Sequence, residues 1–282
     1  MPALLLASLI WACSFGLIKR HLAGVDPAWV TAVRLGLATL VFLPFVRLRA
    51  VGWGGAAALA GIGALQFGVM YVLYLESFRH LRAHEVALFT LTTPLFVTLL
   101  ADLRERRLRP WALGASLLAI AGAALLVHRA ADFAVTLRGV LLVQGANLAF
   151  AAGQLAYRGW SRARPALPDH AAMGLLYFGG MLPALLLIVR QPVPPRLDSA
   201  QLVTVAYLGL VASGLGFYLW NAGARRCGTG TLAVMNNAKV PLGVAASLLL
   251  FGESAEAGPL LLSLLALGAA VLLAERGRQA AQ

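Results

Sequence analysis

One lysine stands where a charge has no ready partner. Lys239 lies in Met235-Asn236-Asn237-Ala238-Lys239-Val240-Pro241, near the middle of an apolar stretch from Gly230 to Phe251. If that stretch crosses a membrane as a helix, either end is roughly ten residues, or about 15 Å, away, too far for easy snorkelling. Ionisable groups at such depth are costly and are candidates for function by default. The eleven carboxylates are Asp26, Glu76, Glu85, Asp102, Glu105, Asp132, Asp169, Asp198, Glu253, Glu256 and Glu275. All fall in loops or at the ends of apolar segments, so none shares the depth of Lys239. A buried ammonium must then bond main-chain carbonyls (those freed by Pro241, for example), lose its proton, or meet a substrate anion. The last outcome favours a carboxylate-bearing cargo and argues against cation export through a buried acid.

Asn236 precedes Lys239 by three residues and shares its helical face, with Asn237 adjacent. Asn147, Gln154 and Asn221 add amides to other apolar segments of the second half, where they line a shared cavity or simply bridge helices. Trp11, Phe15, Tyr71, Tyr74, Tyr157, Tyr218 and Trp220 either line that cavity or anchor helices at the interface. Arg34, two turns into its segment, is within snorkelling reach of an interface and is expected to be structural or gating. Glu76 and the pair His84-Glu85 flank one loop, as exposed charges or as a gate. Pro94 and Pro241 are expected to kink their helices.

The elements that must hold these residues are membrane helices. Of 282 residues, 60% are hydrophobic and 12% charged, against roughly 25% charged in a soluble domain. A water-exposed fold could not cover itself, so much of the surface must face lipid. Spans of roughly 20 apolar residues are expected at Pro2–Ile18, Ala28–Phe45, Trp53–Leu75, Val86–Leu100, Trp111–Val127, Val140–Tyr157, Ala171–Val189, Leu202–Asn221, Gly230–Phe251 and Leu260–Ala274. The fold class is therefore all-α, with ten transmembrane helices. The net charge of +12 would suggest a nucleic-acid partner in a soluble protein. Here the basic residues sit in short gaps between apolar runs, so no nucleic-acid partner is expected. Cys13 and Cys227 form neither a disulfide framework nor a metal cluster, and no cofactor is implied.

Counting Lys and Arg in alternate loops puts thirteen on the side of both termini and eight opposite, which places the termini in the cytoplasm of a cell whose inner membrane holds the chain. The sequence also repeats. Tyr71 and Tyr218 are 147 residues apart, as are Pro94 and Pro241, and Trp11 with Phe150 and Lys19 with Arg158 share an offset of 139. Five spans per half make the second copy enter the membrane from the opposite side. The expected units are residues 1–130 and 139–276, two inverted five-helix repeats with a site between them.

These residues resemble the EamA-like branch of the drug/metabolite transporter superfamily. The matching pieces are Trp11-Ala12-Cys13-Ser14-Phe15 with Lys19, Pro27 with Arg34, Pro94 with Glu105, and Pro241-Leu242 with Gly252-Glu253. Ala12 stands where the family usually has glycine, Arg104-Glu105 replaces its Gly-Glu, and the second half lacks a counterpart to Arg34. The resemblance implies two inverted repeats around a central cavity, and transport of small metabolites, often amino-acid export. It also implies that the segment Asn236 to Lys239 can face that cavity.

The leading expectation is a secondary transporter exporting an amino acid or related carboxylate, with a drug or amine exporter of the same fold as the alternative. No nucleotide-binding motif is present, so a gradient must supply the energy. An enzyme is not expected. His84-Glu85 opens a zinc-protease pattern, but position 88 is leucine, and Ser116 has no histidine in any later span to act as its base. A non-transporting scaffold or receptor is the third reading. The partners are the lipid bilayer and a small-molecule substrate, with monomer and homodimer both open.

Overall fold

The computed structural model describes residues 1–22, 24–81, 83–127, 136–190, 193–243, 245 and 257–279. Side-chain positions of Phe15, Lys19 and His84, and all of Asp132, Gly252, Glu253 and Glu256, lie outside that description. The described elements are all helical. They are α1 (Pro2–His21), α2 (Pro27–Phe42), α3 (Leu48–Val51), α4 (Trp53–Gly63), α5 (Met70–Ser77), α6 (Ala83–Thr90), α7 (Thr93–Glu105), α8 (Pro110–Val127), α9 (Leu137–Arg162), α10 (His170–Arg190), α11 (Ser199–Tyr207), α12 (Gly216–Arg226), α13 (Thr229–Met235) and α14 (Ala257–Gln279). A π-helical turn, Ala64–Val69, joins α4 to α5, and a second, Leu208–Leu215, joins α11 to α12.

Among the described residues, seven continuous helical segments are long and apolar enough to cross a membrane. Two more apolar stretches, Pro2–Ser14 and Pro110–Leu125, are shorter. The expected ninth span is helical over Thr229–Met235, and its far end falls outside the description. The protein is thus a multi-pass membrane protein. Large apolar side chains such as Leu40, Leu141, Leu186 and Leu265 stay exposed, as a lipid-facing surface requires.

Local signals explain most helix starts. Asp26 caps α2 by accepting from the Ala28 and Trp29 amides, and Asp198 and Gln201 form a capping box at α11. The segment expected at Val86–Leu100 is not one helix, because it breaks at Leu91 and Thr92 between α6 and α7. Pro94 has no N–H for the Thr90 carbonyl, which accepts instead from the Thr93 hydroxyl at 2.7 Å. The segment beginning with α13 breaks likewise at Asn236–Ala238, three residues before Pro241.

Helix contacts run mostly between the two halves of the sequence. Helix α10 packs along α2 and α4, α1 along α12, α5 along α9, α8 along α14, and α7 against α13. Close approach is written in glycine: Gly63, Gly68, Gly179 and Gly180 bring the third segment onto α10, and a Cβ on Gly63 or Gly179 would collide with the facing main chain. The glycines of the third segment do not act alike, since Gly54 and Gly61 face open space.

Helix ends rich in arginine converge on one face. Leu4 lies against Gly223, Val46 against Gly174, Arg104 against Gly159, and Trp111 against Gly277. The opposite face gathers His21 with Gln201 and His80 with Thr136.

Candidate functional site

The two helix breaks meet. Asn237 donates from Nδ2 to the Leu91 carbonyl at 3.0 Å, a carbonyl left over because the Leu95 amide bonds Thr92 instead. Asn147 and Gln144 of α9 donate to the Phe89 carbonyl at 2.9 and 3.3 Å, and Asn147 reaches the Thr92 hydroxyl at 3.1 Å. The break in the first half is therefore capped by amides of the second. Asn147 and Asn237 thus bridge helices through main chain that the break set free.

Lys239 sits one residue beyond the second break, half-buried. Among the described residues no carbonyl or carboxylate accepts a hydrogen bond from its ammonium. Asn236, three residues earlier, is buried and donates back to the Leu232 carbonyl at 2.8 Å. Its Oδ1 is buried with no partner among the described residues.

Arg34 departs from its expected reach toward an interface. It does not snorkel: it is 5% exposed, with Nε donating to Ser213 Oγ at 2.8 Å and its guanidinium 4.3 Å above the Tyr71 ring. Ser213 belongs to the π-helical turn Leu208–Leu215. The carbonyls freed by that turn are occupied, Ala212 by Trp11 Nε1 at 2.8 Å and Gly214 by Tyr177 OH at 2.6 Å. No carboxylate pairs with the Arg34 guanidinium among the described residues, so the core holds a second basic side chain without an acid.

An aromatic wall surrounds this region. Trp11 stands 5.0 Å from both Phe217 and Trp220, and Phe67 is 4.4 Å from Phe217. Gln154 and Asn221 are fully buried and bonded to Trp220 and Gln66. Tyr218 lies apart from these, lining a cavity of about 370 Å³ at the arginine-rich face with Asp169, His170 and Arg225. Tyr74 is half-buried and packs on Phe78 at 5.2 Å near the helix end. Tyr157 is fully buried and donates to Asp169 at 2.8 Å, which ties the core to the residues of that cavity. Glu76 pairs with Arg79 at 3.2 Å near the surface. Glu85 is fully buried and engaged, which corrects its reading as an exposed loop charge.

A family model described as the EamA-like transporter family matches residues 1–128 and again 137–274. The chain belongs to the EamA-like transporter family. That membership makes it a membrane transporter and not an enzyme. Among curated proteins, a probable biotin transporter of Pseudomonas aeruginosa is 41% identical over 280 residues, covering 97% of this chain and 95% of the relative. The biotin transporters of Escherichia coli K12 and Salmonella typhimurium are 38% and 37% identical over 260 residues, covering 90% of this chain and 85% of each relative. A solved crystal structure superposes with a TM-score of 0.78 at 21% identity, covering 95% of this chain and 94% of the other; it shares the fold.

Reading the sequence alone missed Gln66, Ser213, Thr92, Gln144 and Tyr177. Gln66 carried a signal, an amide between Leu65 and Phe67 inside an apolar run. Ser213 and Tyr177 carried none, because π-helical turns leave no pattern of their own.

Proposed function

We propose that the chain moves a small carboxylate across the membrane by alternating access, with biotin the first cargo to test and amino acids the wider carboxylate class. The single observation that carries this reading is Lys239, mid-segment and unpaired among the described residues. Its ammonium would be neutralised by the cargo's acid at the moment of binding. Biotin comes ahead of amino acids because relatives aligned over nearly the whole chain are named for it. Asn236 would orient the acid through the second N–H of its Nδ2, since its Oδ1 can only accept. Trp11, Tyr71 and the aromatic residues around them would supply the apolar wall, and Arg34 would hold the π-helical turn of the opposing half.

The site between halves rests on a proposed pair of inverted repeats, 1–130 and 139–276. Several features support the pairing. At the 147-residue offset Gln66 falls on Ser213, inside overlapping π-helical turns, and Leu91 falls on Ala238, inside the two helix breaks. Interrupted segments in corresponding positions of two halves are the usual address of a transporter's site. Both termini are proposed to face the cytoplasm of an inner membrane, since the converging face carries most of the arginines.

The test is counterflow of radiolabelled biotin into proteoliposomes containing the wild type or Lys239→Ala. The wild type should accumulate label and the folded variant should lose at least tenfold in rate. Full transport by folded Lys239→Ala would end the proposed role of the lysine.

A further inference from the structure

Three side-chain amides meet where the π-helical turn Ala64–Val69 faces α9 and α12. Gln66 and Gln154 are both fully buried. Gly153 packs so closely on Gln66 that a Cβ there would collide with it. Gln66 Nε2 donates to Asn221 Oδ1 at 3.0 Å, and Trp220 Nε1 donates to Gln154 Oε1 at 3.0 Å. These bonds fix how each amide faces. An indole N–H can only donate, so Gln154 must turn its oxygen to Trp220 and its NH2 elsewhere. Asn221 presents its own NH2 to the Met173 sulfur at 3.8 Å, so its oxygen faces Gln66, which answers with NH2 and turns Oε1 away.

What remains is one acceptor, Gln66 Oε1, and one donor, Gln154 Nε2, buried without a hydrogen-bond partner among the described residues. Each such atom costs about 1–3 kcal/mol. A seam that only joined the two halves would not need to leave both open. The π-helical turn matters too, because the residue it inserts re-aims the side chains that follow, a device frequent at functional sites.

We propose that Gln66 and Gln154 form a second recognition point of the transport site, taking a neutral group that both donates and accepts, such as a cyclic urea. The ligand N–H goes to Gln66 Oε1, and the ligand carbonyl accepts from Gln154 Nε2. This rests on the carboxylate reading: Lys239 takes the acid end of the cargo and the seam takes the other. Biotin carries both groups, a ureido ring and a pentanoic acid chain. Trp11 and Phe217, beside Trp220, give its hydrocarbon and thioether portion an apolar wall. Buried polar groups left unanswered are what make such a site reject a cargo that lacks the matching group.

The test is calorimetric binding to full-length protein in detergent with three probes: biotin, pentanoate (the acid alone) and biotinol (the ureide alone). Gln154→Glu keeps an oxygen for Trp220 while removing the donor, and Gln66→Met keeps length while removing the acceptor. Thermal melts establish that each variant is folded, and Gln154→Glu carries the test alone where Gln66→Met does not fold. Wild type should bind biotin at least tenfold more tightly than pentanoate. Each glutamine variant should lose at least tenfold for biotin, about 1.4 kcal/mol, with pentanoate unchanged. Equal losses for biotin and pentanoate, or no loss for either, would overturn the recognition point. Unchanged biotin binding by Lys239→Ala would instead refute the carboxylate reading, whatever the glutamine variants do.

Discussion

Two glycines of the third membrane segment, seven residues apart, should respond in opposite directions to the same added methyl group. Gly61 has nothing within 4 Å of where a Cβ would stand. Alanine there only improves helix propensity, a gain of up to about 1 kcal/mol. At Gly68 the same Cβ would lie 2.5 Å from the Gly180 carbonyl oxygen and 2.6 Å from Pro183 Cγ. A comfortable carbon–oxygen contact needs about 3.3 Å, so the segment must withdraw from α10 by roughly 0.8 Å. One obstacle is main chain and the other a proline ring, so neither can rotate aside, and overpacking of this kind costs about 1–3 kcal/mol. Because α10 contacts α2 and α4 together, the displacement spreads beyond one residue pair. Thermal unfolding in detergent, followed by tryptophan fluorescence, measures both variants against wild type. Gly61→Ala should match or exceed the wild-type melting temperature, and Gly68→Ala should fall clearly below it. Equal melting temperatures for the two variants would refute the claim that α10 and the third segment are in direct main-chain contact.

Arg34→Met removes a buried charge that lacks an acid and keeps much of the side-chain volume. Stability should therefore change by no more than about 1 kcal/mol while biotin counterflow is lost, and proteoliposome transport alongside thermal melts separates the two effects. Asn147→Leu takes one of two amide donors from the Phe89 carbonyl, so unfolding in denaturant should show a loss of about 1 kcal/mol, because Gln144 still serves that oxygen.

The membrane-helix class was legible because the bilayer sets a length and a polarity that apolar runs between charge clusters reveal directly. Positions of breaks were half legible. Pro94 and Pro241 announced interruptions, but which side chains would repair the freed carbonyls depends on α9 and α13 approaching from far along the chain. Lys239 was found by composition and depth, and the structure left its ammonium unpaired among the described residues. Only the snorkelling reach of Arg34 was misjudged, because it depends on the neighbouring helix, and here Ser213 and Tyr71 offer closer partners than water. Gln66 escaped notice since a lone amide in an apolar run usually only bridges helices. Its meaning comes from the atom it leaves open.

The arginines at the convergent face carry a last consequence. Arg225 donates to the Leu167 and Pro165 carbonyls, Arg162 to the Arg225 and Cys227 carbonyls, and Arg158 to Cys227 and Thr229. Mostly carbonyl dipoles hold these side chains, and of the three only Arg225 has a carboxylate, Asp169 at 3.5 Å, within ion-pair distance among the described residues. That rim therefore remains an attractive field for anions arriving from the adjacent water, raising their local concentration above bulk. Because it acts at long range, such enrichment fades as the Debye length shortens. Capture of an acidic solute from that compartment becomes a matter of ionic strength as much as of fit.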